Sequence, residues 1–199
     1  MNCEKTNVIK VARIVSVVGH PFVLLPLTTV IAVSRNSSPV RTLAIGIITV
    51  LVTVVPLLLI IRRKVATGKW SDMDVSVSSE RDSFYPIAIT VVIVSGLIFW
   101  ILDFPRSLLI GIIISLVLLL AAMIINRRSK ISLHLIFAVY CAVCLFAVSY
   151  LIGAGFILLS IAIGWSRILL ERHNFGQVLS GMMLGAFAGI CLLKAVGFF

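Results

Sequence analysis

Residues 131–166 read ISLHLIFAVYCAVCLFAVSYLIGAGFILLSIAIGWS, 36 positions without a Lys, Arg, Asp or Glu. One membrane-crossing helix needs roughly 20 apolar residues, so this run is too long for one crossing. Gly153 and Gly155, just after Tyr150, are the expected place for the chain to turn back. That divides the run into two short spans, 133–150 and 154–170. Residues 14–34, 42–61, 83–102 and 107–126 are likewise free of charged side chains, and a last span covers 175–196. There Gly181, Gly185 and Gly189 recur at four-residue spacing, which permits close helix contact. The expected fold is all-α, a polytopic transmembrane helix bundle with seven spans, or six if the first run only lies against the bundle.

Composition agrees. Of 199 residues, 61% are hydrophobic and 12% charged, and the mean hydropathy is +1.21. Disorder, collagen-like repeats and a nucleic-acid-binding globule are excluded. The net charge of +10, from 17 basic and seven acidic residues, suits anionic lipid headgroups or an anionic substrate. Cys141, Cys144 and Cys191 lie in apolar runs and Cys3 near the N-terminus. They form no disulfide framework or zinc pattern, and Cys141 and Cys144 read as packing residues. No cleavable signal peptide is expected, since the first apolar run is too long. The reading is a single integral membrane domain over 1–199. It comprises two N-terminal spans (14–61), a charged membrane-surface loop (62–82) and a helix bundle carrying the chemistry (83–196).

Seven crossings put the N-terminus, the 62–82 loop, the 127–131 loop and the 167–173 segment on one face. That face takes 13 of the 17 basic residues, among them Lys5, Arg62, Arg63, Lys64, Arg127 and Arg128. The positive-inside rule then places it in the cytoplasm.

Three segments on this face concentrate polar residues. The first is the loop from Arg62 through Lys69 to Glu80-Arg81-Asp82. The second is Lys130-Ile-Ser132-Leu-His134, opening an apolar helix. The third is Ser166-Arg167-Ile-Leu-Leu-Glu171-Arg172-His173-Asn-Phe-Gly-Gln177. Phosphoryl transfer needs such a set, because the transferred group keeps negative charge on three oxygens and must be held by fixed cations and donors. Lys69, Arg81 and Arg167 supply cations, and Ser132 adds a hydroxyl at a helix start. One histidine can attack phosphorus while another protonates the leaving alkoxide and later activates water. Taken singly the residues have plainer readings. The loop would be a lipid-facing anchor and Ser132 a helix N-cap. His20, in Gly19-His20-Pro21, reads as structural, satisfying backbone groups at a kink.

At these residues the sequence resembles the type 2 phosphatidic acid phosphatase superfamily of membrane-embedded lipid phosphatases. Its three signatures run Lys-x6-Arg-Pro, Pro-Ser-Gly-His and Ser-Arg-x5-His-x3-Asp. Ser166-Arg167, five residues and His173 match the third in type and spacing. Ser132-Leu-His134 matches the Ser-x-His centre of the second, with Leu133 for Gly and Ile131 for Pro. The first is poorly kept: Ser76 stands seven residues beyond Lys69, and Arg81 is taken as the substitute cation. Gln177 replaces the Asp, as in a divergent branch with His-x3-Gln-Val-x2-Gly. The resemblance spans about residues 60–195. It implies His173 as the nucleophile forming a phosphohistidine and His134 as the general acid and then base. It implies Lys69, Arg81, Ser132 and Arg167 as the phosphoryl cradle, with Gln177 orienting His173. The family usually works on the extracytoplasmic side, against the charge count here.

The resulting expectation is a metal-independent hydrolase of a lipid phosphate or diphosphate, isoprenoid or phosphatidate-like, with no cofactor. Its partners are the phosphorylated lipid and membrane lipids, not nucleic acid, and no oligomeric state follows. A non-catalytic anionic-lipid-binding protein is one alternative. A small transporter is another, weakened by the lack of charged residues in mid-span.

Overall fold

Every uncharged run is mostly helical. A computed structural model describes residues 2–198, and side chains from Thr6 to Phe198; no strand occurs among the described residues. The side chains of Cys3 and Lys5 lie outside them. The helices are α1 (Asn2–Val18), α2 (Pro21–Ser34), α3 (Pro39–Thr49), α4 (Val55–Ala66), α5 (Ser78–Ile101), α6 (Arg106–Asn126), α7 (Leu133–Phe146), α8 (Tyr150–Leu169) and α9 (Phe175–Ala195). A π-helical turn, Val50–Val54, joins α3 to α4 into one 28-residue rod. Five rods are long and apolar enough to cross a membrane: Pro39–Ala66, α5, α6, α8 and α9. The bent pair α1 and α2 brings the number to six where it is counted as one broken span, and α7 is a shorter apolar helix. The chain is an all-α integral membrane protein.

The kink expected at Gly19-His20-Pro21 is present, since α1 and α2 meet at a 50° bend. Pro21 disfavours helical geometry at the residue before it, so the break falls at Gly19-His20. One expectation is corrected: the turn within 131–166 lies at Ala147-Val148-Ser149. Gly153 and Gly155 are inside α8. Gly153 is needed for packing: a Cβ there would stand 2.6 Å from Cγ of Phe146. The absent side chain thus serves the α7–α8 crossing, and Ser149, extended at φ −162°, is the N-cap residue of α8.

The chain divides into two compact units, residues 1–32 with 131–199, and residues 33–130. In the first, α7 packs against α8 and α9, while α1 packs along α8. Nine consecutive residues of α7, His134 to Ala142, are buried. The glycine stripe of α9 makes this possible. A Cβ at Gly181 would stand 2.8 Å from the carbonyl oxygen of Ser132, and one at Gly189 would stand 2.6 Å from Cβ of Val143. At Gly185 it would collide with the carbonyl of Ile136. Close backbone approach through small residues replaces the hydrophobic drive that lipid cannot supply.

In the second unit, Val33, Ile45, Phe99 and Phe104 form a buried cluster. Pro56 has no N–H to give the carbonyl of Val52, four residues back. The hydroxyl of Ser95 on α5 lies 2.8 Å from the carbonyl of Val91 on its own helix and 3.1 Å from the Val52 oxygen, and Thr53 donates to Ser95 Oγ at 3.1 Å. The proline-freed carbonyl thus shares a hydroxyl donor of the neighbouring helix.

Candidate functional site

The third segment owes its spacing to the end of α8. After Leu170, Glu171 takes a left-handed conformation at φ 56°. Its N–H then reaches the carbonyl of Ile168 at 3.0 Å, and the N–H of Arg172 reaches that of Arg167 at 3.0 Å. This pair of bonds is the Schellman closure of a helix end. The N–H of His173 joins the same Arg167 oxygen at 3.2 Å. Arg167 and His173, six positions apart, are therefore tied by a backbone bond, and Ser-Arg-x5-His has a geometric cause.

His173 is next oriented by the start of α9. Asn174 is the N-cap, accepting the N–H of Gln177 at 3.0 Å, while its own N–H donates to Oε1 of Gln177 at 3.3 Å. This reciprocal pair is a capping box. A backbone N–H can only donate, so the amide oxygen of Gln177 is the atom facing it. That same Oε1 lies 3.1 Å from Nδ1 of His173. An acceptor at Nδ1 fixes the proton there in the neutral ring and leaves the lone pair on Nε2. The ring is buried, 5% exposed.

The second segment docks on this helix start. The N–H of Ser132 donates to the carbonyl of Gln177 at 3.4 Å, and Gly181 one turn on admits the backbone of Ser132. Ser132 is the N-cap residue of α7, yet its side chain makes no capping bond. Its Oγ is buried without a hydrogen-bond partner. The plain N-cap reading does not describe it. His134, one residue into α7, is buried at 5% exposure.

Arg167 is fully buried, and its Nη1 donates to Ser16 Oγ on α1 at 2.8 Å. Its neighbour Ser166 donates to the carbonyl of Ala12 at 2.7 Å. An enclosed guanidinium is costly unless it is hydrogen-bonded and paired, and Ser16 supplies one of its bonds. His20, at the α1–α2 break, accepts the N–H of Phe22 through Nδ1 at 3.2 Å. That bears out its reading as a kink residue. Its ring also stands against His134, with centroids 4.9 Å apart. The first unit thus brings Ser132, Gln177, Arg167 and His173 together through backbone bonds, with His134 on the same helix start as Ser132. Sequence reading missed Ser16, Asn174 and the ring contact of His20. Of these only Asn174 carried a signal, the Asn-x-x-Gln pattern of a capping box.

Lys69 and Arg81 belong to the second unit. Lys69 follows a second Schellman closure: Gly68 sits at φ 68°, and the carbonyl of Lys64 accepts the N–H groups of Lys69 and Trp70 at 2.9 and 3.2 Å. The Lys69 side chain is exposed. Arg81 is 3% exposed and donates through Nε to the carbonyl of Val75 at 2.9 Å. The loop between them is well bonded. Ser71 N–H donates to Glu80 at 2.8 Å, Asp72 accepts from Asp74 and from both N–H and hydroxyl of Ser76, and Trp70 Nε1 donates to Ser83 at 3.2 Å. Cys141, Cys144 and Cys191 are all free thiols.

No family model, no curated protein and no solved structure matches this chain.

Proposed function

We propose that this chain is a metal-independent lipid phosphatase, a divergent member of the type 2 phosphatidic acid phosphatase superfamily. The observation that carries the reading is the contact between Nδ1 of His173 and Oε1 of Gln177 at 3.1 Å. It leaves a buried Nε2 lone pair as the nucleophile and gives Gln177 the orienting duty that an Asp has in the family signature. Two further features support it: the buried hydroxyl of Ser132 without a hydrogen-bond partner and the enclosed guanidinium of Arg167.

The chemistry runs in two steps. Nε2 of His173 attacks phosphorus; the P–N bond forms as the ester P–O bond breaks, and His134 gives its proton to the departing alkoxide. Water then attacks the phosphohistidine, losing a proton to His134 as the P–N bond breaks. Inorganic phosphate leaves and both histidines return to their starting state. Arg167 and the Ser132 hydroxyl counter the charge on the phosphoryl oxygens. The nucleophile, the acid and these donors are all protein groups, so no step calls for a metal. Lys69 and Arg81 are proposed as additional phosphate-binding cations on the resemblance alone. An isoprenoid or phosphatidate-like tail would lie among the apolar helices, and the basic-residue bias puts the site on the cytoplasmic side.

The test is inorganic phosphate release in detergent with EDTA, from phosphatidate and from farnesyl diphosphate. His173→Ala and His134→Ala are run beside wild type. Activity in wild type and its loss in both variants are expected. A wild type inert on both lipids overturns the reading, and turns attention to lipid binding without turnover. Variants as active as wild type overturn the residue assignments.

A further inference from the structure

The N-terminal segment lies outside the stretch that carries the resemblance, yet two of its residues reach the polar end of the first unit. Ser16 holds Arg167 at 2.8 Å. Four residues on, His20 stands edge-on to His134, with ring planes at 86° and centroids 4.9 Å apart. A histidine that only satisfied a kink would need its bond to the N–H of Phe22 and nothing more. That bond also fixes the ring: Nδ1 accepts at 3.2 Å, so the neutral imidazole carries its proton on Nε2. The ring of Phe22, 4.5 Å away, packs a second side. The outcome is a rigid imidazole with its plane set, placed perpendicular to the histidine assigned as general acid. Edge-to-face geometry is favoured because the positive ring edge meets the negative face, and it resists rotation of either ring.

We propose that His20 is a positioning residue for His134, holding the plane of that imidazole in line for proton delivery to the leaving alkoxide. His20 itself gains and loses no proton in the cycle. His134 gives one proton as the P–O bond breaks and recovers one from water as the P–N bond breaks. This inference rests on the phosphatase reading and adds a residue to it.

The experiment separates the kink role from the ring role. In His20→Asn the shorter side chain still offers an oxygen to the N–H two residues on, but removes the ring. The full-length protein in detergent is assayed on phosphatidate, whose alkoxide must be protonated to leave. It is assayed in parallel on p-nitrophenyl phosphate, whose phenolate leaves without a proton. The expected result is a fall in kcat on phosphatidate of about tenfold or more with KM little changed. Single-turnover release of p-nitrophenolate stays near the wild-type rate. Equal losses on both substrates, or no loss on either, overturn the proposal. If the Asn variant does not fold, the same split is read from His20→Gln. A wild type inert on both substrates overturns the phosphatase reading, and this inference with it. An active wild type that loses activity in His173→Ala, beside an unaffected His20 variant, overturns this inference alone.

Discussion

His173 and Gln177, one helical turn apart across the start of α9, share a bond in which Nδ1 meets Oε1 at 3.1 Å. The same oxygen closes the capping box with Asn174 at 3.3 Å. One amide thus sets both the helix start and the histidine tautomer.

Replacing Gln177 tests the two duties together. Gln177→Leu removes the acceptor for both N–H groups. It is expected to lower phosphate release at least about tenfold and to cost about 1 kcal/mol through the lost cap. Gln177→Glu keeps both bonds and adds a charge that favours the imidazolium formed during turnover. Its activity is expected to equal or exceed that of wild type. Turnover of the Glu variant below that of the Leu variant would refute the orienting role.

Ser132→Ala separates a ligand-facing hydroxyl from a helix cap. Because Oγ makes no capping bond, the melting temperature in detergent should move by no more than about a degree or two, the scale of a few tenths of a kcal/mol. Phosphate release should fall by about tenfold through a lost oxyanion donor. A large melting shift with unchanged kcat would make Ser132 a structural cap after all.

Glu171 holds a left-handed conformation at φ 56° in the turn that places His173. A side chain there costs roughly 1–2 kcal/mol that glycine avoids. Glu171→Gly should therefore raise stability by about 1 kcal/mol while leaving kcat intact, as read by denaturant titration and assay. A loss of stability would mean that the Glu171 side chain makes an interaction worth more than the strain.

Two glycines make a matched pair. A Cβ at Gly185 would strike the carbonyl of Ile136, whereas one at Gly155 meets nothing within 4 Å. Gly185→Ala should cost about 1–3 kcal/mol by overpacking. Gly155→Ala, on an exposed part of α8, should be neutral or stabilise by up to about 1 kcal/mol. Thermal melts of the two variants decide; similar shifts would contradict the close α7–α9 packing.

Much of this molecule is local in origin and so is readable in the chain. Runs without charge dictate helices because lipid offers backbone groups no partner. The Gly181-Gly185-Gly189 stripe announces a close helix contact. The segment from Ser166-Arg167 to Gln177 reads as the end of one span and the start of the next. What the sequence could not settle depends on residues far apart meeting. Gly153 and Gly155 carry a turn signal, but Gly153 is taken up by the ring of Phe146 and the chain reverses at 147–149 instead. Ser132 has the identity and position of a cap, and only the packing of α7 on α9 leaves its hydroxyl buried outside that role. His20 fits a kink at the level of its neighbours. Its contact with His134, 114 positions on, arises because the α1–α2 break and the start of α7 converge in one unit. Helix formation follows from side-chain polarity and spacing along the chain, while the site is made by which helix ends the tertiary fold brings together.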